Sequence, residues 1–209
     1  MPIFLERRRM MIKNIVLDMG NVCCRWDVNY IASCLSTDQE EKQWLIQHVF
    51  QSQQWQELDQ GLISIEEAQQ QLSHSYPQFH YLIERALCHW FDYFDQFDEM
   101  EEYIIELKNK GYHIYLLSNC SLQFYQYYQK KSIFHHFDGY YISAKYQLLK
   151  PSKDIYLHFL DHFHLNGEEC LFVDDMKINV EGAKRVGMSG IVYDGKIDEL
   201  KDKIKKLSQ

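Results

Sequence analysis

At 209 residues the chain is long enough for one well-packed domain, or for one domain carrying a smaller insertion, without disulfides to hold its core. Its 30 acidic against 22 basic residues leave a formal net charge of -8, and the basic residues are scattered, which excludes nucleic acid as a main partner while leaving room for a small anion in a local pocket. Six cysteines without CxxC spacing exclude a small secreted disulfide framework, and no apolar run approaches the ~20 residues of a membrane span, so a cytoplasmic protein with no membrane partner is expected.

The start, MPIFLERRRMM, has charges with no apolar stretch behind them and reads as an arm rather than a secretory signal. The first patterned segment, IVLDMG, is an apolar run from Ile15 to Leu17 that stops at an aspartate and a glycine, as a buried parallel strand does on reaching a loop. From Trp26 onward Gln, Glu, Trp and Tyr are plentiful and apolar residues recur at helical spacing. Ser64 to Glu67 form a capping box after Gly61, so a new helix starts there. The chain then alternates. A helix over 99–110, closed by Gly111, leads to the strand HIYLLS ending at Ser118; a helix over 121–131 leads to a strand over 140–143. A helix over 152–163 leads to the strand CLFVD from Cys170 to Asp174, and a helix over 177–186 to a strand over 190–193 and a Lys-rich closing helix. Such alternation predicts an α/β fold, a Rossmann-like parallel sheet with helices on both faces, carrying an inserted all-helical cap domain. The expected division is an arm and first strand over 1–25, the cap over 26–92, and the remainder of the core over 93–209.

In open parallel sheets ligands bind at the carboxyl ends of the strands, where the strand order reverses. Four polar positions fall there: Asp18, Ser118 with Asn119, Lys150 in a loop, and Asp174 with Asp175. Together they suit phosphate chemistry. Asp18 is a candidate covalent nucleophile, and Asp175, with Asp174 as a further candidate, is placed to join Asp18 and a backbone carbonyl in holding Mg2+, a hard cation that prefers oxygen ligands. Ser118 is a candidate hydrogen-bond donor to a phosphoryl oxygen, and Lys150 supplies positive charge. Each residue taken alone has a plainer reading as a turn, cap or solvated loop residue; the four at one sheet edge do not.

IVLDMGNV, LLSN, LLKP and FVDDMKINVEGAKRVGM closely resemble, in order, the four motifs of the haloacid dehalogenase superfamily, over nearly the whole chain. The closest resemblance is to the branch with a helical cap after the first motif, and within it to sugar-phosphate phosphatases of the alpha-D-glucose-1-phosphate phosphatase kind. It implies Asp18 as nucleophile and metal ligand, the Gly20 carbonyl and Asp175 as further Mg2+ ligands, Ser118 and Asn119 as phosphoryl binders, and Lys150 as neutralising charge. The implied enzyme is a Mg2+-dependent phosphatase acting on a small phosphorylated metabolite through a phosphoaspartyl intermediate, as a monomer or weak homodimer.

One position departs from the pattern. Most phosphatases of this superfamily carry a second aspartate two residues after the nucleophile, the general acid, where this chain has Gly20. A proton donor to the leaving oxygen is typically worth a factor of ~10² to 10⁴ in rate. Its loss matters least for an acidic leaving group, which favours an anomeric sugar phosphate; a water or Asp27 is a candidate substitute, with Asp27 more simply a loop or hinge residue. His158, His162 and His164 have metal-like spacing but sit among core aromatics. The cap aromatics Trp44, Trp55, Tyr76, Phe79 and Tyr81 are candidates to stack on a sugar, or simply to fill a helical core. Two rivals remain: a metal-free 2-haloacid dehalogenase, disfavoured by the paired Asp174 and Asp175, and a noncatalytic binding module.

Overall fold

The structure is a computed structural model and describes residues 11–207; the arm expected over residues 1–10 lies outside the described residues. Five parallel strands form one sheet: β1 (Asn14–Leu17), β2 (His113–Ser118), β3 (Gly139–Ile142), β4 (Cys170–Asp174) and β5 (Ser189–Val192), in the order β3-β2-β1-β4-β5. β1 is buried along its whole length, as its continuous apolar run requires of a central strand. Leu17 pairs with Leu116 on one side and Val173 on the other, so the residues that follow in register leave the sheet at one edge. The strand order reverses between β1 and β4, and Asp18 and Asp174 flank that point.

Between β1 and β2 lies the all-helical insertion. It comprises α1 (Val28–Leu35), α2 (Gln39–Leu45) continuing as a π-helical turn over Ile46–Phe50, α3 (Gln53–Gln60), α4 (Ile65–Ser75), α5 (His80–His89) and a 3-10 turn over Trp90–Tyr93. Short polar residues start these helices by accepting orphan backbone N–H groups: Asp27 for α1, Asp38 for α2, Ser52 for α3. The predicted capping box is present, with the Glu67 N–H donating to Ser64 Oγ and the Ser64 N–H to Glu67 Oε2. Gly61 ends α3 in the left-handed conformation, φ 73°. A Cβ there would lie 2.0 Å from the Ala144 carbonyl oxygen, so glycine lets the end of α3 meet the core backbone directly.

The strand faces alternate between two packed layers. Ile15 and Leu17 point into the layer that includes Tyr103, Ile104 and Leu107 of α6 (Asp98–Asn109) and Leu200 and Ile204 of α11 (Ile197–Leu207). Val16 points into the other layer, with Ile155, Tyr156 and Phe159 of α9 (Lys153–His162) and Ala183 of α10 (Lys177–Lys184). The first layer runs without a break into the insertion through Ile31, Trp55, Leu58, Ile83 and Trp90, so cap and core share one apolar cluster.

Two sequence expectations are corrected. The helix expected over 121–131 is a single turn, α7 (Phe124–Tyr127), followed by 3-10 turns over Tyr128–Lys130 and Ser132–His136. Phe124 stacks on Tyr128 and meets Phe134 edge-on, with Tyr140 beside it, and the chain must turn back on itself to gather those rings. The strand expected over 140–143 ends at Ile142, because Ser143 opens the short helix α8 (Ser143–Tyr146).

Candidate active site

Asp18 is the first residue past β1, and its N–H still donates to the Val173 carbonyl at 2.9 Å, which fixes its backbone at the sheet edge. Its carboxylate, with 8% of the residue exposed, meets Lys150, whose Nζ lies 2.7 Å from Asp18 Oδ1 and 2.7 Å from Asp174 Oδ2. Lys150 reaches this point because Asn119 clamps its backbone from both sides: the Lys150 N–H donates to Asn119 Oδ1 at 2.9 Å, and Asn119 Nδ2 donates to the Lys150 carbonyl at 3.0 Å. Asp174, fully buried, also accepts from the Met176 N–H at 2.7 Å and from Asn179 Nδ2 at 3.1 Å. Asp175 is less covered and accepts from Asn21 Nδ2 at 3.0 Å.

The electrostatics of this group are unbalanced. Burial pushes the Asp18 carboxyl up to about 6; Lys150 pulls it down and Asp174 pushes it up again. Burial opposes the charge on Lys150, yet Asp18 and Asp174 outweigh it and hold its pKa above the ordinary value. The two shifts are consistent with one cation facing two buried anions: the lysine is favoured, and the acid is not. With Asp175 close by, the cluster carries excess negative charge that a divalent cation would offset. The geometry fits such an ion, since Asp18, Asp174 and Asp175 each offer a carboxylate oxygen and these lie within 4.8 Å of one another. Of the three, Asp174 is already engaged by Lys150, Asn179 and the Met176 N–H.

These residues border a cavity of about 280 Å³ lined at its base by Asp18, Gly20, Ser118, Asn119, Lys150 and Asp175. Its roof and walls are aromatic. Trp26, Phe50, Trp55, Trp90 and Phe94 line it, with Trp26 and Trp90 ring centroids 5.2 Å apart and Phe50 and Trp55 5.0 Å apart. Of the cap aromatics singled out in the sequence, only Trp55 faces this space. Trp44, Phe79 and Tyr76 pack on one another, with Trp44 and Phe79 stacked at 4.2 Å, and Tyr81 is 67% exposed.

Three contributors were missed. Asn21 adopts the left-handed conformation, φ 55°, in which its side chain both accepts from the Trp26 N–H and donates to Asp175; an asparagine three residues past a strand-end aspartate is the signal available for it. Asn179 braces Asp174 from α10, and Asp59 enters the cavity from α3. Asp27 is an exposed helix cap whose carboxylate accepts from Asn29 and Tyr30 N–H. His158 and His162 bond the hydroxyls of Tyr141 and Tyr146. Cys23 and Cys24 are fully buried thiols, and Cys23 Sγ donates to the Asp18 carbonyl.

Comparison with protein families matches residues 12–187 to the haloacid dehalogenase-like hydrolases. The chain belongs to that family. Over 188 residues it is 29% identical to a D-ribitol-5-phosphate phosphatase of Bacteroides thetaiotaomicron, covering 85% of this chain and 89% of the relative. The fold is similar to that of a family enzyme from the same organism solved with magnesium and inorganic phosphate, at TM-score 0.72 and 20% identity, over 88% of this chain and 95% of that one. It is also similar to L-2-haloacid dehalogenase of Xanthobacter autotrophicus with chloropropionic acid covalently bound, at TM-score 0.65 and 19% identity, over 86% and 76% of the two chains. These relatives do not single out an alpha-D-glucose-1-phosphate phosphatase.

Proposed function

We propose that this family hydrolase is a Mg2+-dependent phosphatase that cleaves a small phosphorylated metabolite, a sugar or sugar-alcohol phosphate, through a phosphoaspartyl intermediate on Asp18. The observation that carries the reading is the convergence of Asp18, Asp174 and Asp175 to within 4.8 Å around a cluster with one lysine. Three carboxylates so close are a costly arrangement unless cations balance them. The named phosphatase relative and the magnesium- and phosphate-bound structural neighbour point the same way.

In this reading Asp18 Oδ attacks phosphorus, and the ester oxygen departs with the metabolite. Lys150 holds Asp18 in position and lends positive charge to the phosphoryl group, while the Ser118 hydroxyl and the Asn119 backbone N–H bind its oxygens, the Asn119 side chain being occupied by the Lys150 backbone. Asp18, Asp175 and the Gly20 carbonyl would hold the magnesium ion, with Asp174 as a further candidate and a brace for Lys150. When bound, magnesium supplies charge neutralisation between a carboxylate and a phosphate dianion. The indoles of Trp26, Trp55 and Trp90 exclude water from the cavity and offer apolar surface to the carbon skeleton of the substrate. The haloacid dehalogenase chemistry of a structural neighbour is disfavoured because a carboxylate displacing halide needs no second and third carboxylate beside it.

The test is phosphate release from a panel of phosphorylated sugars, sugar alcohols and simple aryl phosphates. Release is expected with Mg2+, is abolished by EDTA, and returns on adding excess Mg2+. Halide release from 2-haloacids that EDTA leaves untouched would instead establish the dehalogenase.

A further inference from the structure

Gly20 leaves the position two residues past the nucleophile without a carboxyl, yet the cavity holds another one. Asp59, one residue before the end of α3, lines the same space as Asp18, Gly20, Ser118 and Lys150, from the opposite, cap side. Three sets of contacts tie it to the core. Its carbonyl accepts from the Ser143 hydroxyl, which also accepts from the Cys120 N–H. Gly61, two residues on, packs against the Ala144 backbone, and Gln147 Nε2 donates to the Gly61 carbonyl at 3.2 Å. Its carboxyl accepts from the Ser121 N–H, in the loop after Ser118, and from the Trp55 indole N–H one turn earlier on α3. A carboxyl on a cap helix is thereby referenced to the core loop that carries Ser118 and Asn119.

We propose that Asp59 is the proton donor to the leaving-group oxygen, in place of the carboxyl that Gly20 does not supply. The inference rests on the phosphatase reading. As Asp18 Oδ bonds to phosphorus, the bond from phosphorus to the ester oxygen breaks, and that oxygen takes the Asp59 proton and leaves as a neutral alcohol, with Asp59 now a carboxylate. Water then attacks phosphorus. One of its protons passes to Asp59, the phosphorus–Asp18 bond breaks, and hydrogen phosphate departs, with both aspartates restored to their starting states.

The chemistry of the residue suits the role. Asp59 keeps some exposed surface, but loss of water around its carboxyl pushes it up to about 8, against the lowering by the two hydrogen bonds, so it carries a proton at neutral pH. Ser121 N–H and Trp55 N–H are both donors, so neither can accept that proton. The titratable groups facing it are Cys120 and Tyr127, each pushed up and kept neutral by burial, and across the cavity Asp18, Asp175 and Lys150. Around α3, Glu66, Glu67 and Lys145 are exposed, Glu57 is bonded by Gln53, and His48 by Tyr76. An acid here removes the need for an activated leaving group, so unactivated alcohols such as those of sugar-alcohol phosphates become as suitable as an anomeric hydroxyl.

The test compares phenyl phosphate, whose leaving oxygen needs a proton, with 4-nitrophenyl phosphate, whose leaving oxygen does not. Asp59→Asn, which keeps the shape and removes the acidic proton, is expected to slow phenyl phosphate by about 10²-fold and 4-nitrophenyl phosphate by less than about 10-fold. Wild-type protein gives the same information without a variant: kcat/KM for phenyl phosphate falls as pH rises through about 8, while that for 4-nitrophenyl phosphate does not. Equal losses on both esters, or no loss on either, would overturn the assignment of Asp59. Turnover retained by Asp18→Asn, or no phosphate released by wild type from any ester with Mg2+, would overturn the phosphatase reading itself.

Discussion

Asp18→Asn is expected to lower phosphate release by at least about four orders of magnitude while leaving the protein folded. Asparagine preserves the shape but offers a neutral amide oxygen to phosphorus, so the covalent step has no nucleophile. The fold survives for a reason visible in the site. Burial and the neighbouring Asp174 together push Asp18 up to about 6, which means that ionised Asp18 works against folding at neutral pH rather than for it. The sign is that of a raised folded-state pKa: its contribution to stability is present at low pH and is lost as pH rises through about 6. A neutral side chain therefore gives up no pH 7 stability through this route. Phosphate release and thermal unfolding of the same sample separate the two effects: a large fall in Tm would contradict the stability argument, and turnover retained by the folded variant would contradict the assignment of Asp18 as nucleophile.

The second large effect belongs to Lys150→Met, which is expected to damage both fold and activity. Lys150 is 5% exposed and is the cation shared by Asp18 and Asp174 at 2.7 Å from each. Methionine matches much of its length, and the stem already lies against Phe172, with Nζ 5.3 Å from that ring centroid. What it cannot replace is the charge. Removing one partner from a buried ion pair strands the other, at a cost of roughly 3–5 kcal/mol, and here two carboxylates are stranded. For a chain of this size that corresponds to a fall in Tm of about 10 °C, measurable by calorimetry. Because Lys150 also pulls Asp18 down, its loss leaves Asp18 more protonated at neutral pH, so turnover falls further than stability alone explains. A variant with wild-type Tm and wild-type turnover would show that Lys150 is an ordinary loop lysine.

The polar residues at strand ends were legible in the sequence because parallel pairing is itself legible. A continuous apolar run such as Ile15 to Leu17, cut off by Asp18 and Gly20, reads as a buried parallel strand, and the observed register brings the ends of β1, β2 and β4 to one edge, where Asp18, Ser118 and Asp174 are neighbours. Lys150 was readable from its motif, although the Asn119 clamp that aims it was not. Asp59 carries no such mark. It sits mid-sequence in a Gln-rich helix, and its place opposite Asp18 comes from tertiary docking, through Gly61 against Ala144 and Ser143 against the Asp59 carbonyl. The aromatic wall failed for a related reason. Periodicity shows that Trp44 and Trp55 lie on apolar helix faces, but it does not say which face meets the cavity and which meets Phe79. The broken helix after Ser121 was misread because ring-to-ring packing of Phe124, Tyr128 and Phe134 overrides helical propensity over so short a stretch.

The covalent role of Asp18 is tested most directly by acid quench of the Mg2+-loaded protein during turnover of a radiolabelled phosphate ester, followed by peptide mapping. The predicted result is a protein-bound label that survives acid, is released by hydroxylamine, maps to Asp18 and is absent from Asp18→Asn. Label on another residue, or unimpaired phosphate release with no labelled protein at any time point, would contradict it.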